Sequence, residues 1–301
     1  MNDDALPAVS VIIPTLNAEK DIARLLDSLL QQTVPIEEII VVDSASEDRT
    51  VSIVQQFEKV KLIRIKREEF DHGRTRDMAL QKSAGDIVVF MTQDAVPTDG
   101  SFLFNLIKPL DQEKVAVSAG RQLPKADASP VEKLVRTYNY PEKSHIRSKE
   151  DIPQMGIKTF FCSDVCAAYD REIYQETGGF EYPLKTNEDM FFAAKAINAG
   201  YRIAYAADAL VFHSHNFTLK EQYQRNYIQG YEIERHRDIL CNVTPKAEGK
   251  KMVRFVSSEL LKHGQIISFV RFILDCGARY IGSELGRSAA KKRERALSDR
   301  P

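Results

Sequence analysis

Apolar positions along the first hundred residues follow two alternating periods. Short β-branched runs, "AVSVIIP", "EEIIVVD", "KLIRIK" and "DIVVFMT", read as strands, and the segments between them space their apolar residues as helices do. In "AEKDIARLLDSLLQQ" residues Ile22, Leu25, Leu26 and Leu29 share one face. A second helix is expected from about Asp48 and a third over "GRTRDMALQKSAG", with Gly85 as its stop. The alternation predicts an α/β fold of parallel strands joined by crossover helices, in which ligands gather beyond the carboxyl ends of the strands. The polar residues at those ends are Thr15 and Asn17, Asp43 and Ser44, and Thr92 to Asp94. A run as apolar as "DIVVFM" that ends on Thr92, Gln93 and Asp94 carries a carboxylate out of the core at the place where a site forms.

From Ser101 the pattern is mixed. A helix over "SFLFNLIKPL", a strand over "VAVSAG", a loop around "LPKADASP" and a mobile stretch "PEKSHIRSKEDIPQ" lead to "KTFFCSDVCAAYD". In "TNEDMFFAAKAINAGYRIAY" Asn187 is expected to cap a helix, Glu188 and Asp189 to sit in its positive first turn, and Gly200 to end it before a strand. From Leu219 the chain reads as mainly helical, closing in a solvated, fraying tail "RSAAKKRERALSDRP". No internal repeat is visible.

Composition narrows the classes. The 301 residues, 43% hydrophobic and 28% charged, suffice for a large core, and 42 Lys and Arg against 43 Asp and Glu leave no field to draw the chain to nucleic acid. The acidic start "MNDDALPAVS" lacks a basic region followed by an apolar one, which points to the cytoplasm. Four scattered cysteines, Cys162, Cys166, Cys241 and Cys276, suit buried free thiols better than disulfides or a zinc knuckle. The longest apolar stretch, Ile266 to Gly282, is broken by Arg271, Asp275 and Arg279; it suits a packed helix or one lying on a membrane surface.

The usual phosphate cradles are absent: no G-x-G-x-x-G follows the first strand and there is no G-x-x-x-x-G-K-[ST]. A nucleotide diphosphate would then need a hard cation, for which Asp94 is the candidate ligand; the competing account is an Asp that closes a turn before Pro97. In "ALVFHSHN" His213 and His215 fall on one face of a strand, and either could reach such a metal. Glu188 or Asp189 could act as a general base, or simply as helix-start electrostatics.

Taken in order, "VSVIIPTLNAEKDIARLLDSLLQQT", "EIIVVDSASEDRT", "DHGRTRDMAL", "FMTQDAVP", "GGF" with "NEDMFFAAKAINAGYRIAY", and "VFHSHN" resemble the family-2 glycosyltransferases of GT-A fold, from about Val9 to His215. "TQDA" and "HSHN" are most similar to bacterial rhamnosyltransferases that use dTDP-L-rhamnose. The resemblance implies a transferase domain over 1–218, with a Rossmann-like, mainly parallel sheet, and a helical extension over 219–301. It implies that Pro14, Thr15, Asn17 and Asp43 hold the base and ribose of the donor, and that Asp71, Arg76, Asp77 and Gln93 lie near the nucleotide. It makes Asp94 the remaining ligand of a D-x-D motif whose first acid is Thr92, with His213 completing a shell for Mn2+ or Mg2+. Asp189 becomes the base, and Ser163, Asp164 and Glu188 contact sugar.

The same resemblance implies an inverting transfer to a hydroxyl of a saccharide or lipid-linked saccharide in surface polysaccharide synthesis, with the C-terminal helices able to touch the inner membrane face. The Q-x-x-R-W signature of processive synthases is reduced to "QYQRN" at Gln222 to Asn226, which favours addition of one or a few sugars. Other readings are a transferase using a UDP- or GDP-linked sugar, a nucleotidyltransferase, and a non-catalytic carbohydrate-binding protein on the same fold.

Overall fold

The computed structural model describes residues 7–243 and 246–298. The start of the acidic N-terminal segment and the last three residues of the basic tail lie outside the described residues. The chain opens with β1 (Val9–Thr15), α1 (Ile22–Leu30), β2 (Glu38–Asp43), α2 (Thr50–Val54), β3 (Val60–Arg64), α3 (His72–Gln81), β4 (Ile87–Met91) and β5 (Val96–Pro97). It continues through α4 (Phe102–Ile107), β6 (Val115–Leu123), α5 (Pro130–Asn139), β7 (His145–Arg147), α6 (Ile152–Met155), β8 (Cys166–Asp170) and α7 (Arg171–Glu176). It ends with α8 (Glu188–Asn198), β9 (Arg202–Phe212), α9 (Leu219–Arg235), α10 (Lys246–Lys262) and α11 (Ile266–Ser298).

Among the described residues one sheet runs β3-β2-β1-β4-β8-β6-β9-β5, with β7 also on β9. It is parallel from β3 to β4 and turns antiparallel across β8. In β1 the two faces feed two cores: Val9, Val11 and Ile13 pack with α1, whose Ile22, Leu25, Leu26 and Leu29 are all buried, and Ile12 packs with Phe90, Tyr169 and Phe192. Each such buried aliphatic side chain contributes about 1.5–3 kcal/mol. The parallel register brings the ends of β1, β2 and β4 to one edge.

Several expectations change. The stretch "PEKSHIRSKEDIPQ" is no mobile loop: His145–Arg147 pairs antiparallel with β9, anchored by the buried Arg147, which donates to the carbonyls of Lys158 and Phe161. The basic tail is solvated as expected, Lys291 to Arg295 being exposed, but it is helical up to Ser298, with Arg293 donating to the Tyr231 hydroxyl. Gly85 does not stop α3, which is capped at Lys82; it lies so close to β1 that an added Cβ would meet the Ser10 nitrogen at 2.5 Å. Asn187 stands at the start of α8, yet its side chain makes no capping bond, because its backbone is left-handed (φ 67°). Gly200 does end α8. All four cysteines are free, and Cys162 and Cys166 are buried, but Cys241 is exposed and Cys276 half-buried.

Candidate active site

β4 stops at Met91, and the following turn lifts Asp94 to the mouth of a cavity of about 520 Å3, while β9 ends at Phe212 and delivers His213 and His215 to the same point. His213 Nε2 lies 3.5 Å from Asp94 Oδ1, His215 Nε2 3.5 Å from Asp94 Oδ2, and the two Nε2 atoms are 3.1 Å apart. The tautomer of His213 is set from behind. Arg136 donates to Gln122 Oε1, which orients the amide so that its Nε2 donates to Ser163 Oγ at 3.0 Å. The same Oε1 lies 2.9 Å from His213 Nδ1, so that nitrogen carries the proton and Nε2 presents a lone pair.

Burial pushes the His213 pKa down to about 3, against the pull of Asp94, so the ring is neutral. Burial alone would raise Asp94, but His213, Lys125 and His215 hold its carboxyl below the usual range, with Lys125 Nζ at 3.1 Å. One oxygen and two imidazole donors within 4.8 Å of one another form a donor set that fits a divalent cation.

The same cavity is also lined by three further carboxylates, Asp164, Glu188 and Asp189. Asp189, in the first turn of α8, accepts from the Met190 backbone N–H at 2.7 Å and from that of Asp164 at 3.1 Å. Burial, followed by the like charges of Glu188 and Asp164, nevertheless raises its pKa well above the usual carboxylate range. Asp164 is buried, accepts from the Tyr169 hydroxyl at 2.6 Å, and is pushed up to about 7, chiefly by burial. Arg76, 3% exposed on α3, binds Glu188 Oε1 at 2.9 Å and pairs with Asp164 Oδ2 at 3.3 Å. Arg76 thus offsets the charge of two of these carboxylates directly, Glu188 and Asp164, while Asp189 is held by backbone N–H groups. Thr92 Oγ1 and Asn187 Nδ2 line the same cavity buried and without partners, as expected where a polar ligand belongs.

Of the residues expected from sequence, Asp94, His213, Asp189, Glu188, Ser163, Asp164 and Arg76 therefore meet around one cavity. Pro14, Thr15, Asn17, Asp43 and Gln93 are not among its lining; they cluster at the strand ends, with Thr15 level with Asp43 on the adjacent strand. Gln93 clamps the Leu16 backbone through both amide atoms, at 2.7 and 3.1 Å, and Asp43, fully buried, holds Ser46 and Thr15. Asp71 and Asp77 do not line the cavity: Asp71 caps α3 and binds the Leu184 N–H, and Asp77 accepts from Tyr174 in a separate hollow of about 460 Å3. Lys125, Gln122 and Arg136 carry no signal in the sequence, whereas the His-x-His spacing already brings His215 forward beside His213 as a possible ligand.

The glycosyl transferase family 2 model matches residues 10–178. The chain is 37% identical over 289 residues to the O-antigen chain rhamnosyltransferase RfbN of Salmonella typhimurium, covering 93% of this chain and 89% of that protein. It is also 37% identical over 293 residues to WbaN of Salmonella anatum, covering 94% and 90%. Among solved structures, the mannosyltransferase PcManGT from Pyrobaculum calidifontis, in complex with GDP-Man and Mn2+, matches with a TM-score of 0.58 at 20% identity over 98% of this chain and 76% of that one. S. aureus TarS 1-349 with UDP-GlcNAc matches at 0.56 and 20%, over 94% and 92%. The structural likenesses speak to the fold alone, and it is the GT-A fold expected from the motifs.

Proposed function

The chain belongs to glycosyltransferase family 2, and from that premise we propose that it transfers L-rhamnose from dTDP-L-rhamnose, with inversion, to a hydroxyl of a saccharide or lipid-linked saccharide in bacterial surface polysaccharide synthesis. The observation that carries this reading is a single cavity lined both by the Asp94–His213–His215 donor set and by Asp189. Asp189 takes the proton of the acceptor hydroxyl as that oxygen bonds to the anomeric carbon. The bond from that carbon to the diphosphate oxygen breaks, and its electron pair leaves with the nucleotide. Mn2+ or Mg2+ held by Asp94, His213 and His215 would neutralise diphosphate charge; two imidazoles favour Mn2+ over Mg2+. Lys125 neutralises Asp94 from the side, and Ser163, Asp164 and Glu188 face the sugar. Pro14, Thr15, Asn17, Asp43 and Gln93 shape the nucleotide edge, and Asp71 and Asp77 serve it indirectly by fixing α3 and Arg76.

Asp189→Asn is expected to lower transfer about 10²–10⁴-fold while leaving dTDP-rhamnose binding unchanged. Normal turnover of this variant on the true acceptor would remove Asp189 from the role. A thermal-shift panel of dTDP-, UDP- and GDP-sugars with Mn2+ or Mg2+ identifies the donor, since a ligand at 100 times its Kd stabilises by about 2.7 kcal/mol. We place the enzyme on the cytoplasmic side, with its C-terminal helices against the membrane. Among the described residues no helix is long and apolar enough to cross a membrane.

A further inference from the structure

The catalytic cavity continues toward the C-terminal helices. It shares Arg136, Tyr140, Phe217 and Arg225 with a chamber of about 180 Å3, and that chamber shares Asn226 and Arg279 with a groove of about 720 Å3 between α10 and α11. The groove has apolar walls, Met252 and Val253 from α10 and Cys276 and Tyr280 from α11, with Lys250 and Arg254 along its edge. Three guanidiniums from three helices meet at the junction. Arg136 pairs with Glu132 and Arg279 with Asp275, but Arg225 forms no ion pair among the described residues and lies over the Phe217 ring, 4.4 Å from its centroid. Its side chain reaches solvent, yet desolvation, followed by the charges of Arg279 and Arg136, holds its pKa below the usual guanidinium range.

The close fit of α11 on α9 produces this convergence. An added Cβ on Gly282 would meet the Tyr223 carbonyl oxygen at 2.4 Å, so only a bare backbone lets the two helices approach until Arg225 and Arg279 share one chamber. Surplus positive charge next to an apolar trough selects a ligand with a phosphate at the head of a hydrocarbon chain. Residues 219–301 carry 17 Lys and Arg against 10 Asp and Glu, within a chain of net charge −1, so the positive field is local to this end.

We infer that the groove between α10 and α11 binds the hydrocarbon chain of a phospho-amphiphile, that Arg225, Arg279 and Arg136 hold its phosphate, and that the sugar beyond the phosphate thereby reaches the catalytic cavity. This rests on the lipid-linked form of the acceptor proposed above. It assigns the C-terminal helices a binding site for a single molecule.

The test is calorimetric binding of dodecyl phosphate, below its micelle concentration, to the full chain. Dodecyl maltoside and inorganic phosphate are the comparisons, and wild type is set against Arg279→Gln and Tyr280→Glu. Neither residue lines the catalytic cavity, and Tyr280 is 62% exposed, so its substitution leaves the fold intact. Dodecyl phosphate should bind at least tenfold more tightly than either comparison, and each variant should lose about tenfold while dTDP binding stays unchanged. Equal affinity for dodecyl phosphate and dodecyl maltoside, or for dodecyl phosphate and inorganic phosphate, would overturn the site. So would variants that bind as wild type does. If the variants lose only adhesion to anionic vesicles, the surface is a bilayer contact and the single-molecule site is wrong. If dodecyl phosphate binds as expected but no nucleotide sugar is turned over, the site stands and the transferase reading falls.

Discussion

Strand β1 and helix α11 both carry apolar residues on opposite faces, but only the strand is covered on both. Val9, Val11 and Ile13 on one face and Ile12 on the other are fully buried beneath helices. α11 buries Phe272, Gly282, Gly286 and Ala290, yet leaves Ile266, Ile267, Val270, Leu274 and Ile281 open to solvent, Ile267 by 88%. The difference separates two tasks. A sheet sheathed on both sides is stiff enough to hold Asp94 and the histidines within ångströms of each other. A helix with an uncovered apolar face gives up burial that would have stabilised the fold, which is intelligible only where something apolar approaches it.

The largest effect expected from breaking this comparison lies on the sheet side. Asp94→Ala should lower kcat/KM by more than about 10²-fold and weaken donor binding, and chelation of wild type should reproduce the loss, since preorganised charge at a leaving oxyanion is worth several kcal/mol. Isothermal titration of dTDP with and without Mn2+ checks the binding half. Next, Gly286→Val on the helical side places a Cβ where the Tyr227 carbonyl oxygen now sits and should cost about 1–3 kcal/mol. Hydrogen exchange should show the protection lost in α9 and α11 while β1 to β4 stay closed.

A smaller effect concerns pH. Asp189, as the proposed base, must be ionised, and burial together with Glu188 and Asp164 raises its pKa, so activity should fall, as pH is lowered, above the ordinary carboxylate range. Glu188→Gln removes a negative neighbour and frees Arg76, both of which lower the Asp189 pKa, so the acidic limb of the kcat/KM profile should move to lower pH. An unmoved limb would assign it to another group. Smallest of all, Ile267→Glu should change stability by no more than about 0.5 kcal/mol while weakening flotation with anionic vesicles.

The strands β1, β2 and β4, helix α1 and the exit of Asp94 were legible because they follow local rules: apolar period, strand-end polarity and motif order. What was not legible depends on partners distant in sequence. His145–Arg147 is only three residues long and mostly polar, and becomes a strand because β9 offers an edge about sixty residues away. The bond from Gln122 to His213 spans 91 residues and that from Arg76 to Glu188 spans 112, distances over which no periodicity carries information. Asn187 has the side chain of a helix cap, yet its left-handed backbone turns it into the cavity wall, a local cost accepted at a site. The charged end of α11 looked like a tail because its residues are polar, but Lys, Arg, Glu and Ala are strong helix formers once a neighbouring helix supports them.

The glycine seam between α9 and α11 also constrains how such an enzyme can change its preferences. Because those two helices nest without intervening side chains, a graft of α11 from a relative succeeds only if its small residues fall in the same register. A slip of one turn, about 5.4 Å, would carry Arg279 past Arg225 and misalign the whole route while leaving every catalytic atom in place.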